Sequence, residues 1–161
     1  MVYNVIEEFI ESIGVEGALM GLDLGEKTIG VAVSDTRQTV ATGIKTIKRT
    51  KFQQDLTILT QVIVGRDIRG VILGLPKNMN GSEGPKCQST RAFAKNISLT
   101  VPLPITFWDE RLSTVAAERS LIEANASRRR RAEVIDYVAA SFILQGVLDR
   151  VSSIKMKGLN S

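Results

Sequence analysis

Residues 18–34 read ALMGLDLGEKTIGVAVS and place an acidic residue where a core strand normally carries an apolar side chain. Because side chains alternate along a strand, Leu19, Gly21 and Asp23 would face one side and the intervening residues the other. Residues 25–27 have the composition of a turn, and the β-branched run at 29–33 predicts a second strand. The stretch therefore predicts a β-hairpin that holds the carboxylate of Asp23 at the rim of a sheet.

The segments after this hairpin alternate between strand and helix patterns. Residues 39–47 predict a third strand, and apolar residues at helical spacing predict a helix over 52–63. Two more strands and three more helices are predicted, the strands at residues 70–75 and 104–108 and the helices at 85–97, 113–124 and 132–150. Three antiparallel strands followed by two crossovers predict an α/β fold with a mixed five-stranded sheet and helices on both faces.

The two ends of the chain differ from this central part. Apolar side chains recur at helical spacing over residues 2–13, with glutamates between them, so residues 1–17 are predicted to form an amphipathic helical extension packed on the body. A membrane-surface helix is the alternative, but it would need a basic polar face. Residues 18–150 are predicted to form one domain, and residues 151–161 a flexible C-terminal tail.

The chain contains no histidine and a single cysteine, Cys87. The lack of histidine excludes histidine acid–base catalysis, Ser-His-Asp and Cys-His nucleophiles, and most zinc sites. A bound metal would therefore need oxygen ligands, which suit Mg²⁺ or Mn²⁺. One cysteine, an acidic N-terminus and the lack of a long apolar run together predict a cytoplasmic protein that does not enter membranes.

Charge is unevenly spread along the chain, whose formal net charge is +4. Residues 1–17 hold four of the 17 acidic residues and no basic residue, which leaves 13 acidic residues against all 21 basic residues in the remainder. A basic body favours polyanions such as nucleic acid. The same balance also occurs in proteins that bind no nucleic acid, so charge alone does not decide the ligand.

Acidic residues beyond Asp23 occur where the predicted elements meet the same edge of the sheet. Asp109 and Glu110 follow the last strand, and Asp136 lies in the last helix beside two alanines that permit close packing. Buried carboxylates are costly unless they are paired or bind a cation. Two divalent ions would neutralise such a cluster and activate water for attack on a phosphodiester. Alternatively, Asp109 caps a helix that starts near Arg111, and Asp136 pairs with Arg128 or Arg129.

Four ordered blocks are similar to signature blocks of the YqgF-type family: GLDLGEKTIGVAVSD, GLPKNMNGSEG, DERLST and VIDYVAASFILQGVLD. This family is described as Holliday junction resolvases and pre-16S ribosomal RNA nucleases with a ribonuclease-H-like fold. The resemblance covers about residues 18–150 and implies that Asp23 and Asp136 ligate Mg²⁺ or Mn²⁺, as two ions, with Glu110 or Asp109 completing the site. Family members generally carry Arg where this chain has Thr28.

The resemblance also implies a function and partners. It favours a divalent-metal-dependent nuclease that processes the 5′ end of pre-16S rRNA in ribosome biogenesis, with Holliday junction resolution in DNA as the alternative. The expected partners are structured precursor rRNA or branched DNA, and ribosomal particles, for a monomer or weak homodimer. Two other hypotheses are a non-catalytic RNA-binding factor and an actin-like ATPase. The second is considered because residues 23–25 also match the Asp-x-Gly phosphate loop of such ATPases.

Basic side chains near the expected site are the candidate contacts to nucleic acid. They come from the hairpin turn, the loop after the fourth strand, the end of the last strand and the arginine run, and are Lys27, Lys77, Arg111, Arg128, Arg129 and Arg130. Arg111 either holds a phosphate or forms a bidentate pair with a neighbouring acid. The Gly- and Asn-rich loop at residues 76–84 would approach the nucleic-acid backbone, unless it is only a connection.

Overall fold

One mixed sheet of six strands organises the computed structural model, which describes residues 1–112 and 128–159. The strands are β1 (Val2–Tyr3), β2 (Ala18–Leu24), β3 (Thr28–Ser34), β4 (Ala41–Lys48), β5 (Ile68–Leu75) and β6 (Ile105–Asp109). Their spatial order is β1-β6-β5-β2-β3-β4. Strands β2, β3 and β4 pair antiparallel, whereas β5 pairs parallel with β2 and β6. The predicted antiparallel meander followed by parallel strands is confirmed.

Among the described residues, β1 is the strand that the sequence did not predict. It lies parallel to β6 at the edge of the sheet, and the hydroxyl of Thr106 donates to the carbonyl of Tyr3 at 2.9 Å. The helix predicted at residues 2–13 consequently begins only after β1. The sheet has six strands rather than five because the free edge of β6 supplies a pairing partner for a segment of two residues.

Helices cover both faces of the sheet, as predicted. They are α1 (Ile6–Ile13), α2 (Phe52–Gly65), α3 (Pro85–Ser98) and α4 (Arg128–Leu159), with a 3-10 helix at Glu110–Leu112. Helices α1 and α4 share a buried cluster that includes Phe9, Leu19 and Leu144. The opposite cluster, under α2 and α3, includes Met20 and Phe93. Successive side chains of β2 therefore pack into the two clusters in turn, with Leu19 on the α4 face and Met20 on the opposite face.

Helix α1 packs on the sheet through its apolar face. Phe9 is fully buried and Ile13 is almost so, and both lie against Gly70 of β5. This confirms the prediction of core packing over a membrane-surface helix. Within the described residues, no helix combines the length and the apolar character that crossing a bilayer requires.

Helix α4 extends beyond both ends of the helix predicted at residues 132–150. It begins at Arg128, so the basic segment expected as a loop at 125–131 is helical from there on, consistent with the good helix propensity of arginine. At the other end it continues through Leu159, where a flexible tail at 151–161 was expected. Val151 is buried, and the ammonium of Lys155 donates to the carbonyl of Val15 at 2.8 Å. The helix predicted at 113–124 lies outside the described residues.

The turn after β3 is held by the carboxylate of Asp35. Its Oδ1 accepts the backbone N–H groups of Thr39 at 2.8 Å and Val40 at 2.9 Å, and its Oδ2 accepts the Thr39 hydroxyl. These bonds, the Thr39 hydroxyl first, lower the pKa of Asp35 from 3.8 to about 2. The carboxylate is thus stabilised in the folded protein relative to the unfolded chain.

Replacement of Asp35 by Ala is expected to lower the free energy of unfolding by about 1 kcal/mol near neutral pH. Because the pKa of the folded state is depressed, this contribution is complete above 3.8 and is lost as the pH falls through about 2. Urea denaturation of both proteins across that pH range measures the difference. Glu16→Ala, at an exposed position, is the control. A difference that stays constant down to the lowest pH would contradict the assignment.

Candidate active site

Asp23 lies on the face of the sheet that α4 covers. A Cβ built on Gly21, which shares its side of β2, would lie 2.7 Å from the Cβ of Leu144 in α4. Asp23 is 7% exposed and sits opposite Gly30 in the β2–β3 register. The period-two prediction thus holds, and the carboxylate of Asp23 is placed by a central strand beneath the long helix.

Asp136 is brought to the same face by the docking of α4 on β3. A Cβ at Gly30 would overlap the backbone carbonyl oxygen of Asp136, so only glycine lets the helix approach this closely. The hydroxyl of Thr28, on the same side of β3 as Gly30, donates to Oδ2 of Asp136 at 2.6 Å. Since Gly30 is the cross-strand partner of Asp23, Asp136 lies over the strand pair that carries Asp23.

Glu110 reaches this face from the end of β6. Its Oε1 lies 2.6 Å from the position that a Cβ on Gly74 would occupy, beside Ile143 of α4. Leu22 pairs with Leu73 in the parallel β2–β5 register, so the next residue of β5, Gly74, comes beside Asp23. The lack of a side chain at Gly74 therefore creates the space into which the carboxylate of Glu110 extends.

Asp109 faces away from the other three acids. Because side chains alternate along β6, Asp109 shares the α2/α3 side of the strand with Ile105 and Phe107, whereas Trp108 packs in the α1/α4 cluster. Oδ1 of Asp109 accepts the backbone N–H of Arg111 at 3.0 Å, and Oδ2 accepts its guanidinium at 2.7 Å. These bonds lower the pKa of Asp109. The bidentate pair left open for Arg111 is therefore present, and Asp109 caps the 3-10 helix at Glu110–Leu112, while the helix predicted at 113–124 lies outside the described residues.

Arg111 also fixes the loop between β5 and α3. Its Nη1 donates to the carbonyl of Met79 at 3.2 Å, so one guanidinium joins the end of β6 to that loop. The loop is further closed by Asn78, whose N–H donates to the Ser82 carbonyl at 2.9 Å and whose Nδ2 donates to the Ser82 hydroxyl at 2.9 Å. Arg111 thus has a positioning role in this structure.

The other basic candidates lie around the same edge of the sheet. Lys27 is exposed in the hairpin turn, and Lys77 follows β5 and lines a cleft with Arg91 and Asp109. Arg128, Arg129 and Arg130 form the first turn of α4, the end of the helix nearer to Asp136. Lys77 therefore lies on the Asp109 side of the sheet, and contacts of these side chains with nucleic acid stay a prediction.

Comparison with known proteins identifies the family. The family model described as "RuvX: Holliday junction resolvase" matches residues 17–150. The chain belongs to the RuvX family. A protein named "Putative pre-16S rRNA nuclease" from Ruegeria sp. (strain TM1040) is 62% identical over 96% of this chain and 99% of its own length. One of the same name from Cereibacter sphaeroides (strain ATCC 17025) is 62% identical over 94% of both chains.

Solved structures similar to this RuvX-family chain show the fold. RuvC of T. thermophilus, in complex with a Holliday junction substrate, has a TM-score of 0.52 at 11% identity, covering 84% of this chain and 96% of its own. The yeast mitochondrial Holliday junction resolvase has a TM-score of 0.53 at 8% identity, covering 94% and 86%. These structures confirm the predicted ribonuclease-H-like fold. The family model and the relatives of 62% identity confirm the nuclease class.

The donor set of the RuvX-family site fits a hard divalent cation. Asp23, Glu110 and Asp136 supply only carboxylate oxygens, the ligands that Mg²⁺ and Mn²⁺ prefer. In the parts of the chain that the structure describes, however, no three acidic or cysteine side chains are grouped closely enough to hold a metal ion. The three carboxylates share one face of the sheet and the same end of its strands, without converging on a single point.

Sequence reasoning missed two residues that shape this site, Gly30 and Gly74, and noted Thr28 only as a departure from the family's Arg. Gly30 and Gly74 provide room for Asp136 and Glu110, and Thr28 binds the carboxylate of Asp136. The available signal was the alternation along β3, which places Thr28 and Gly30 on one face. That alternation does not say which helix covers the face.

Proposed function

We propose that this nuclease holds Mg²⁺ or Mn²⁺, as two ions, with Asp23, Glu110 and Asp136, and cleaves phosphodiester bonds at the 5′ end of pre-16S rRNA. The observation that carries the proposal is the arrival of these three carboxylates, from β2, the end of β6 and α4, at one edge of one face of the sheet. Bound divalent cations would neutralise the carboxylates and activate the attacking water.

Each acid in this proposal is held by a different constraint. The β2 backbone fixes Asp23, Gly74 gives Glu110 its space, and Thr28 orients Asp136. Ligands carried on strands and helices are placed more accurately than ligands on loops. The fold thus sets the direction from which each carboxylate enters the proposed site.

Phosphate contacts are proposed for Lys27, Lys77 and the first turn of α4 at Arg128, Arg129 and Arg130. Lys27 follows the strand that carries Asp23, the first turn of α4 precedes Asp136, and Lys77 follows β5. Cationic side chains that contact phosphates position a backbone without reading bases. Arg111 is left out because Asp109 and the Met79 carbonyl already engage its guanidinium. Such contacts suit a structured RNA within a ribosomal precursor particle in the cytoplasm, bound by a monomer or weak homodimer.

Holliday junction resolution is the second candidate activity. The family model carries that description, and the similar RuvC structure contains a junction. Curated relatives that match nearly the whole chain carry the pre-16S rRNA name, which favours RNA.

Parallel assays of the two substrates test the proposal. We expect purified protein with Mn²⁺ or Mg²⁺ to cleave precursor rRNA near the mature 5′ end, and EDTA to stop cleavage. A four-way DNA junction is offered in the same buffers. If the protein cleaves only the junction, its substrate is DNA rather than precursor rRNA. If RNA cleavage continues in EDTA, the proposed metal site is wrong.

The adjacent acids Asp109 and Glu110 provide a matched pair of variants. Glu110→Gln is expected to reduce cleavage about a hundredfold or more, because it removes a charged ligand that stabilises the transition state. Asp109→Asn is expected to reduce it less than tenfold and to weaken the tie to Arg111. Cleavage rates and hydrogen exchange in the 76–84 loop measure the two effects. Equal losses in both variants would contradict the division of roles.

A further inference from the structure

The hydroxyl of Thr28 makes a contact that joins the hairpin to the long helix. It donates to Oδ2 of Asp136 at 2.6 Å, between residues 108 positions apart in the chain. A hydroxyl has one proton, so this bond commits the hydroxyl donor of Thr28 to that carboxylate oxygen. A hydrogen bond to a charged acceptor is about twice as strong as one between neutral groups.

Thr28 is itself held firmly. Its carbonyl accepts the N–H of Gly25 at 2.8 Å, which closes the hairpin turn, and its backbone pairs with Lys48 of β4. The hydroxyl is therefore carried by a paired strand end rather than by a free loop. Only rotation about the Thr28 side chain could move it, and β-branched side chains are restricted in that rotation.

Asp136 is consequently fixed at two points. Its backbone rests on Gly30, where no side chain could fit, and its carboxylate is bound by Thr28. Binding at Oδ2 restricts the rotation of the carboxylate and so sets the direction in which Oδ1 points. Groups that bind a metal ligand from behind commonly change metal affinity by about 10- to 100-fold.

We propose that Thr28 is a positioning residue that sets the orientation of the Asp136 carboxylate for cation binding. This inference rests on the proposed function, because Asp136 must be a ligand for its orientation to matter. Thr28 would not touch the cation, and its effect would pass through Asp136. The neutral hydroxyl adds no charge to the site, so it directs a carboxylate oxygen without competing with the cation.

Three variants test this role. Thr28→Val keeps the shape and removes the hydroxyl, Thr28→Ser keeps the hydroxyl, and Thr42→Val makes the same change at an exposed position of β4. The readouts are Mn²⁺ affinity of the free protein by electron paramagnetic resonance, cleavage rate, and thermal midpoint. We expect Thr28→Val to weaken Mn²⁺ binding about tenfold. Thr28→Ser is expected to retain most of the affinity and Thr42→Val all of it.

The outcomes separate this inference from the function on which it rests. If the wild type binds Mn²⁺ and cleaves, and Thr28→Val matches it, the positioning role is wrong and the nuclease site stands. If Thr28→Ser loses as much affinity as Thr28→Val, the hydroxyl is not the cause, and the role is also wrong. If the wild type binds no Mn²⁺, the proposed metal site and this inference both fail. Normal Mn²⁺ affinity with a lowered thermal midpoint would leave Thr28 a structural residue only.

Discussion

Replacing Asp23 by Asn is expected to abolish cleavage while leaving the fold and the affinity for nucleic acid in place. The amide has nearly the same size and keeps one oxygen, so the strand accommodates it, but the charge that would hold a cation is lost. Loss of about 4 kcal/mol of transition-state stabilisation corresponds to a thousandfold slower reaction. Single-turnover cleavage of precursor rRNA, with binding measured in parallel, detects the change.

The control for Asp23→Asn is the same substitution at Asp67. The Asp67 side chain is 82% exposed and its backbone φ is 51°, a conformation that asparagine tolerates well. It precedes β5, at the opposite end of that strand from Gly74. Asp67→Asn should therefore cleave at the wild-type rate.

Asp23→Asn also separates the enzyme from the non-catalytic RNA-binding hypothesis. If the wild type cleaves and Asp23→Asn binds RNA without cleaving, Asp23 acts in the chemistry. If Asp23→Asn retains full activity, the carboxylate cluster is not the active site. A wild type that binds RNA tightly and never cleaves it, under any divalent cation, would favour the binding factor.

The position of Asp23 could be predicted because it depends on local geometry alone. Strand alternation over Leu19, Gly21 and Asp23 needs no information beyond the segment itself, and the structure reproduces it. The prediction that Asp136 turns inward rested on the neighbouring alanines, which are buried against the sheet. Both predictions needed only the sequence of one strand or one helix.

The division between Asp109 and Glu110 depends on parts of the chain that are far apart. Two acids at a strand end alternate in direction, yet that rule does not tell which face α4 will cover. Glu110 points to the α4 face because Gly74, in another strand, leaves room for it. Asp109 turns to the other side, where Arg111 binds it and in turn donates to the Met79 carbonyl. The sequence therefore left the choice of ligand open for a physical reason.

The missed edge strand and the extended helix have a similar cause. Val2 and Tyr3 are too few to show alternation, and they become a strand only because β6 offers a free edge. The final turns of α4 are supported by the contact of Lys155 with the 14–17 segment. In each case the stabilising partner is distant in sequence, so the local pattern misses the strand or predicts too short a helix.

Gly30→Ala is expected to damage both stability and catalysis. The added Cβ would overlap the backbone carbonyl of Asp136, and a helix backbone cannot move aside as a flexible side chain can. Overpacking of this kind costs about 3 kcal/mol. For a protein of this size the thermal midpoint should fall by about 6–12 °C. Because α4 must shift away from β3, the hydrogen bond between Thr28 and Asp136 should also break.

Gly65→Ala is the matched control for Gly30→Ala, since a Cβ at Gly65 meets no atom within 4 Å. Gly65 is the last residue of α2 and does not adopt a positive φ, so its backbone accepts alanine. Its thermal midpoint should therefore stay level or rise. The docking of α4 on Gly30 predicts that Gly30→Ala loses cleavage even at temperatures where it remains folded. A Gly30→Ala protein with wild-type stability and activity would mean that α4 does not sit on β3 as described.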